Sequence, residues 1–198
     1  MAKIKLTRNE LKSQRESLAR YTRFLPTLEL KKMQLEVERR KIVRQMKELK
    51  VEMENFRLQI STWQKLFGEA FPQQVNELVH LKEVISEEIN VAGIFMPSFK
   101  DVIFNVDDYD KFLTPPWFDS GVKALQELIK LREKFNILKV QEEVIIAELR
   151  KTTQRINLFK ERLIPECKDN IRQIRIYLGD VQAAAVGRAK IAKQKMQK

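Results

Sequence analysis

Apolar residues recur at heptad spacing through the first third of this chain, and no other feature limits its fold as much. Every seventh position gives Tyr21, Leu28, Leu35, Ile42, Leu49, Phe56 and Trp63. A second row, offset by four, gives Leu11, Leu18, Leu25, Lys32, Arg39, Met46, Met53, Ile60 and Phe67. From Ile42 onward the rows interlock in alternating steps of four and three, the edge that a left-handed coiled coil presents to a partner helix. Lys32 and Arg39 interrupt the second row, where long basic side chains can lay their stems along an apolar edge. Pro26 has no N–H and disfavours helix at Leu25, so the sequence predicts a kink or short break at 25–27. A helix from Thr7 to Phe67 would span roughly 90 Å. No compact core of 198 residues could hide it.

The last third repeats the pattern. Leu128, Leu131, Phe135, Leu138, Glu142, Ile145, Leu149, Thr152, Ile156, Phe159 and Leu163 follow steps of three and four. Cys167, Ile171, Ile174, Leu178, Val181 and Ala185 continue the row. Between Phe159 and Ile171 the steps are four, four and four, equivalent to a four-residue insertion in the heptad, and this predicts a local unwinding. Pro165 falls inside the irregularity, so a bend is expected there. A lone amphipathic helix of this kind is marginal in water. Sequential elements usually neighbour each other. The expected fold is therefore mainly α, a long antiparallel two-helix coiled coil with both termini at one end, although an intermolecular coiled coil would satisfy the same pattern.

The centre differs. The spacing divides the chain into an N-terminal helix over 1–67, an insertion over 68–120 and a C-terminal helix with a basic tail over 121–198. Gly68 and Pro72 are helix-stop signals. Val75, Leu78, Val79, Val84, Ile85 and Ile89 suggest a short amphipathic helix. Val91–Met96 and Val102–Val106 are β-prone runs separated by Pro97-Ser98-Phe99-Lys100-Asp101, which reads as a hairpin over about 91–106 with a five-residue turn.

Signals for chemistry are missing from the sequence. His80 is the only histidine and is placed on the short helix, so one chain cannot assemble a multi-histidine metal site. The five glycines begin neither a GxxxxGK[ST] loop nor a GxGxxG turn. No catalytic residue, cofactor or metal ligand is assigned. Cys167, the single cysteine, lies on the apolar row and reads as a packed, inert thiol of a reducing compartment. Glu87-Glu88 and Asp107-Asp108-Asp110 lack calcium-loop spacing and read as solvated. No apolar run approaches the ~20 residues needed to cross a bilayer. Met1–Leu6 lacks the apolar core of a signal peptide. A cytoplasmic protein is expected, with any membrane link made through partners.

The formal charge of +11 predicts attraction to acidic surfaces. Lys31–Lys50 carries eight Lys or Arg, with Glu36, Glu38 and Glu48 interleaved and no aromatic residue for base stacking. A solvated helix face, a protein-partner surface, and a nucleic-acid or membrane patch all stay open at this point.

Three stretches carry a family likeness. Leu18–Leu35, LARYTRFLPTLELKKMQL, contains the pair Lys31-Lys32 followed by Leu35. Lys151–Leu163, KTTQRINLFKERL, is followed by Ile164-Pro165, and Arg155, Asn157 and Pro165 fit a pattern of a basic run, R-V-N-A-L-E and then I-P. Leu158 and Lys160 depart from its Ala and Glu. Asn170–Leu178 is similar to T-I-x-x-I-x-x-x-L, but Asp180-Val181-Gln182-Ala183 replaces the acidic continuation. Together these stretches resemble the D subunits of the V-type ATPases and ATP synthases.

That resemblance implies a central rotor shaft (the central stalk) without a nucleotide site. Its paired termini would enter the hexamer of catalytic A and B subunits. The other side would meet the F subunit and, through another stalk protein, the membrane rotor ring. Lys31, Lys32, Leu35, Arg155, Asn157 and Pro165 become candidate shaft or partner contacts. Leu28, Leu35, Ile42, Met46, Leu49, Met53, Phe56, Ile60, Trp63, Ile145, Leu149, Ile156, Leu163, Ile171, Ile174 and Leu178 form the expected seam. A peripheral location on the cytoplasmic side of a membrane follows, and no nucleic acid is expected.

Overall fold

The computed structural model describes residues 4–61, 78–109 and 114–196. It is mainly α-helical, with one antiparallel β-hairpin between two long helical stretches. Helix α1 runs over Arg8–Ser61. Strands β1 (Val79–Val91) and β2 (Ile94–Val106) follow. Helix α2 (Phe118–Asn157) passes through a π-helical turn, Leu158–Leu163, into helix α3 (Ile164–Met196). No described helix is long and apolar enough to cross a membrane. The chain divides into two compact units, one of Met1–Met33 with Arg150–Lys198 and one of Gln34–Leu149.

Thr7 caps the start of helix α1. The Glu10 N–H donates to Thr7 Oγ1 at 3.2 Å, and the Leu11 N–H donates to the Thr7 carbonyl at 3.0 Å. The break expected at 25–27 does not occur: the helix is continuous through Pro26. Pro26 lies on the exposed side, where the Thr22 carbonyl that loses its N–H partner meets water. Thr27 Oγ1 donates to the Phe24 carbonyl at 2.7 Å in the same turn.

Within the Gln34–Leu149 unit, α1 and α2 run antiparallel. Arg39 Nε lies 3.6 Å from Glu142 Oε1, and further along α1 Lys50 Nζ sits 5.3 Å above the Phe135 ring. Leu35, Ile42 and Ile145 are buried together with Met96 of the hairpin. A second cluster joins Leu78 and Val79 to Phe118 and Val122, with Phe104, Tyr109 and Trp117 packed against it.

The centre corrects the sequence reading. From Val79 onward the expected short helix is a strand, and 75–77 lie outside the described residues. The hairpin covers 79–106 rather than 91–106. Its turn is the pair Ala92-Gly93, at φ 52° and 78°, not Pro97–Asp101. Two consecutive residues with positive φ form the tight turn whose twist matches the flanking strands. Asn90 Oδ1 accepts the Gly93 N–H at 3.0 Å and closes it. The segment pairs from Val79↔Val106 to Val91↔Ile94, with bulges between Leu81 and Glu83 and between Ile85 and Ser86. Val79, Val84, Ile85, Ile89 and Val91 are β-branched and lose χ1 freedom in a helix, and the ladder to β2 supplies every second backbone partner. Pro97 is accommodated because each strand of a two-stranded ribbon is an edge. His80 is therefore an exposed strand residue, its Nε2 3.4 Å from Asp107 Oδ2.

Candidate functional site

The residues that could do mechanical work are those that lock the helices in register, and each unit locks them differently. In the Gln34–Leu149 unit the two charged interruptions of the heptads, Arg39 and Glu142, face each other. Arg39 is about half exposed and Glu142 about one-fifth, so the pair sits at the edge of the seam, where such a contact contributes about 0–1 kcal/mol. Leu35 and Ile145 are fully buried, Ile42 and Leu49 are buried, and Met46 and Leu149 are half-buried. Met53 and Phe56 are half-buried and Ile60 is buried near the helix end, while Trp63 lies outside the described residues.

The hairpin adds a third layer to this seam. Met96 is 2% exposed, and Gln141 Nε2 donates to the Pro97 carbonyl at 2.5 Å. Gln141, one residue before the expected Glu142, is the buried polar group. Lys130 Nζ reaches Asp101 Oδ1 at 3.1 Å. Lys100 pairs with Glu87 across the ribbon. That partner raises the Lys100 ammonium pKa, chiefly through their hydrogen bond. Between α1, the hairpin and α2 lies a groove of about 430 Å³, lined by apolar side chains such as Ile42, Met96, Phe99 and Ile145 and by charged ones such as Glu38 and Lys134. Sequence reasoning passed over Met96 and Gln141 because it ended a strand at the first and read the heptad through the neighbour of the second. The isolated Gly93 inside a strand pattern was the available signal for the true turn.

The Asp101 carboxyl is held below the ordinary value, first by the Val102 backbone N–H and then by the Lys130 ammonium. Because the folded value is the lower one, ionised Asp101 favours the docked hairpin above about pH 4, and this is lost as pH falls through the lowered value. In an NMR titration, Lys130→Ala should move the Asp101 midpoint upward but leave it below the ordinary carboxylate value, since the Val102 N–H remains. An unmoved midpoint would show that the Lys130 contact is absent in solution.

In the other unit, the start of α1 runs antiparallel to the end of α2 and to α3. Asn170 Nδ2 donates to Gln14 Oε1 at 3.4 Å, and the Tyr21 and Phe159 rings lie 5.1 Å apart. Phe159 belongs to the π-helical turn, and the Ile164 N–H donates to its carbonyl five residues back. Pro165 follows, where no N–H is available to resume the α pattern at once. The heptad continued from Ile156, Phe159 and Leu163 would put Glu166, Asn170 and Gln173 on the seam. Cys167, Ile171 and Ile174 are buried instead, with Asn170. The irregularity thus absorbs one extra residue in a widened turn, rather than the four-residue insertion expected from the steps alone.

The remaining family-motif positions do not form one cluster. Leu28, Lys31 and Lys32 are half-buried on α1. Ile156 is buried and Leu163 half-buried, while Arg155, Asn157 and Pro165 point outward around the π turn. Leu178 is the last half-buried member of its row, and Val181 and Ala185 are exposed. Burial raises the Cys167 thiol pKa, with Glu166 adding to it. Among the described residues, no group of three or more His, Cys, Asp or Glu is placed to hold a metal ion.

A family model for the ATP synthase D subunit matches residues 10–194. The chain is 41% identical over 196 residues to the V-type ATP synthase D subunit of Borreliella burgdorferi, covering 99% of this chain and 96% of that one. It is 31% identical over 199 residues to the V-type ATP synthase D subunit of Chlamydia abortus, covering 99% and 95%. The corresponding protein of Chlamydia trachomatis serovar L2 is 30% identical over 199 residues, covering 99% and 97%. With a match along nearly its whole length and relatives of the same length, the chain belongs to the ATP synthase D-subunit family.

Proposed function

We propose that this chain is the central rotor shaft of a V-type ATPase or ATP synthase and has no catalytic role of its own. It couples ATP hydrolysis or synthesis in a hexamer of A and B subunits to ion movement through a membrane rotor ring. It meets the F subunit and a further stalk protein that links it to the ring, so its tie to the membrane runs through partners on the cytoplasmic side. Family membership over the full length carries the reading. The chemistry supports it: long helices are locked by an apolar seam, a seam ion pair and buried amides. Such a structure transmits force between sites it does not itself contain. The positive charge suits acidic partner surfaces.

Co-expression with the F, A and B subunits of the same organism tests this. The chain is expected to co-purify in a stoichiometric complex, and its failure to join any of them would contradict the reading. Steeply salt-dependent binding to DNA or acidic vesicles, with no such complex, would favour reading the basic stretch Lys31–Lys50 as a nucleic-acid or membrane patch instead.

The C-terminal helix offers a separable prediction. Ile191 and Met196 are exposed, as are all the described residues from 188 to 196, so this stretch adds little to folding. Truncation there is expected to leave the thermal midpoint within about 2 °C, since surface changes stay within ±0.5 kcal/mol. It should impair assembly or torque transfer in the complex. A truncated chain that drives rotation normally would refute a contact role for the tail.

A further inference from the structure

Strands β1 and β2 form a ribbon that is fixed to the helices in two places, with a break in its ladder between them. At the root, Leu78 and Val79 are buried with Phe118 and Val122 of α2, and Phe104 packs against them. The Tyr109 hydroxyl donates to Asp119 Oδ1 at 2.6 Å, and the Lys130 ammonium reaches Asp101. Val102 is buried as well. The ladder then breaks: Ile85 pairs with Asp101 and Ser86 with Phe99, so Lys100 is an extra residue in β2. A bulge of this kind bends the ribbon and interrupts its bonding. Beyond it, residues 86–90 are all exposed, although a strand laid flat on a core would cover every second one. The tip is held at a single contact instead. Met96, 2% exposed, enters the cluster of Leu35, Ile42 and Ile145, with Val91, Ala92 and Ile94 packed against it. Gln141 Nε2 donates to the neighbouring Pro97 carbonyl. Beside this contact lies the groove of about 430 Å³, lined by Met96 and Phe99 of the hairpin and by Ile42 and Leu138 of the helices.

We propose that the hairpin tip, residues 86–99, is a releasable strap: it lifts off the α1–α2 seam about the bulge at Lys100 while the root and both helices stay folded. Burial of one methionine and one hydrogen bond to a carbonyl hold the closed form by a factor on the order of 10² to 10³. Cooperative unfolding of a typical domain is opposed more strongly than that, so release precedes unfolding. The groove leaves the latch without neighbours on one side, so few other contacts break with it. On release the Gln141 amide and the Pro97 carbonyl both regain water, and no polar group is stranded. Closed, the tip adds a third layer to the seam. Released, it leaves two layers at Ile42 and Ile145, so the strap sets how firmly this stretch of the helix pair resists bending.

The test uses the full, unsubstituted chain and hydrogen peroxide, which converts an accessible methionine to its sulfoxide. Peptide mass spectrometry follows Met96 against Met33, which is 61% exposed. Met96 is expected to react roughly 10²- to 10³-fold more slowly than Met33, at a rate that stays flat in urea too dilute to change the circular dichroism. Gln141→Leu is expected to raise the Met96 rate at least threefold and to leave the Met33 rate unchanged. The thiol introduced by Val102→Cys is expected to react with a thiol reagent only when the chain unfolds, because the root stays docked. A Met96 rate that climbs with urea in step with unfolding, or that Gln141→Leu leaves unchanged, would overturn the proposal. So would a Val102→Cys thiol no better protected than Met96, since the whole ribbon would then lift as one.

Discussion

Replacing Ile145 by alanine is expected to lower the free energy of unfolding by about 2–5 kcal/mol. The side chain is fully buried, and it packs in the cluster that holds Leu35 and Ile42 of α1 and Met96 of the hairpin. Its removal leaves a cavity where three elements meet, so collapse from one side cannot fill it cheaply. Chemical denaturation of the two chains measures the effect. The substitution should also loosen the hairpin, seen as faster amide exchange along β2 near Met96. A variant with wild-type stability would place Ile145 outside the core and undo the seam assignment in this unit.

Single-residue deletions are expected to differ sharply with position. Removing Glu143 from the regular part of α2 rotates everything beyond it by about 100°. Leu131 and Gln141 would then no longer share a buried face with Ile145 and Ile156. Losing the burial of two such aliphatic side chains costs roughly 3–6 kcal/mol, enough to unfold a marginally stable chain. Removing Lys160 from the π-helical turn takes out the extra residue that the widened turn absorbs. The turn should revert to α geometry, with Cys167, Ile171 and Ile174 still facing inward, and melting should change little. Circular dichroism melts of the two deletions decide this. Equal and severe loss in both would mean that the turn is not the element absorbing the register shift.

The outline of the helices could be read from the sequence because their burial is periodic. Leu35, Ile42 and Leu49 recur every seven residues and are all buried, and the sequence from Arg8 to Ser61 contains no glycine. The irregularity after Phe159 was also visible as repeated steps of four. Its resolution was not, because a π turn and a supercoil change can give the same apolar spacing and differ in the backbone hydrogen-bond pattern. Pro26 misled for a related reason: its effect depends on whether the freed carbonyl meets water. The hairpin was hardest. Most of β1 is exposed on both faces, so it shows no clean alternation, and Leu78, Ile85 and Ile89 mimic helical spacing. The pairing of Arg39 with Glu142 was hidden because Arg39 looked like an isolated interruption of its heptad and Glu142 read as one more member of its row. Only the antiparallel register, set by all the apolar pairs together, brings them opposite each other.

The most direct test of the rotor reading is observation of rotation itself. With the catalytic hexamer of a reconstituted complex fixed to a surface and a bead attached to this chain, ATP is expected to drive stepwise, unidirectional rotation of the bead. Steady ATP hydrolysis by a complex that contains the chain, with the bead stationary, would contradict the account.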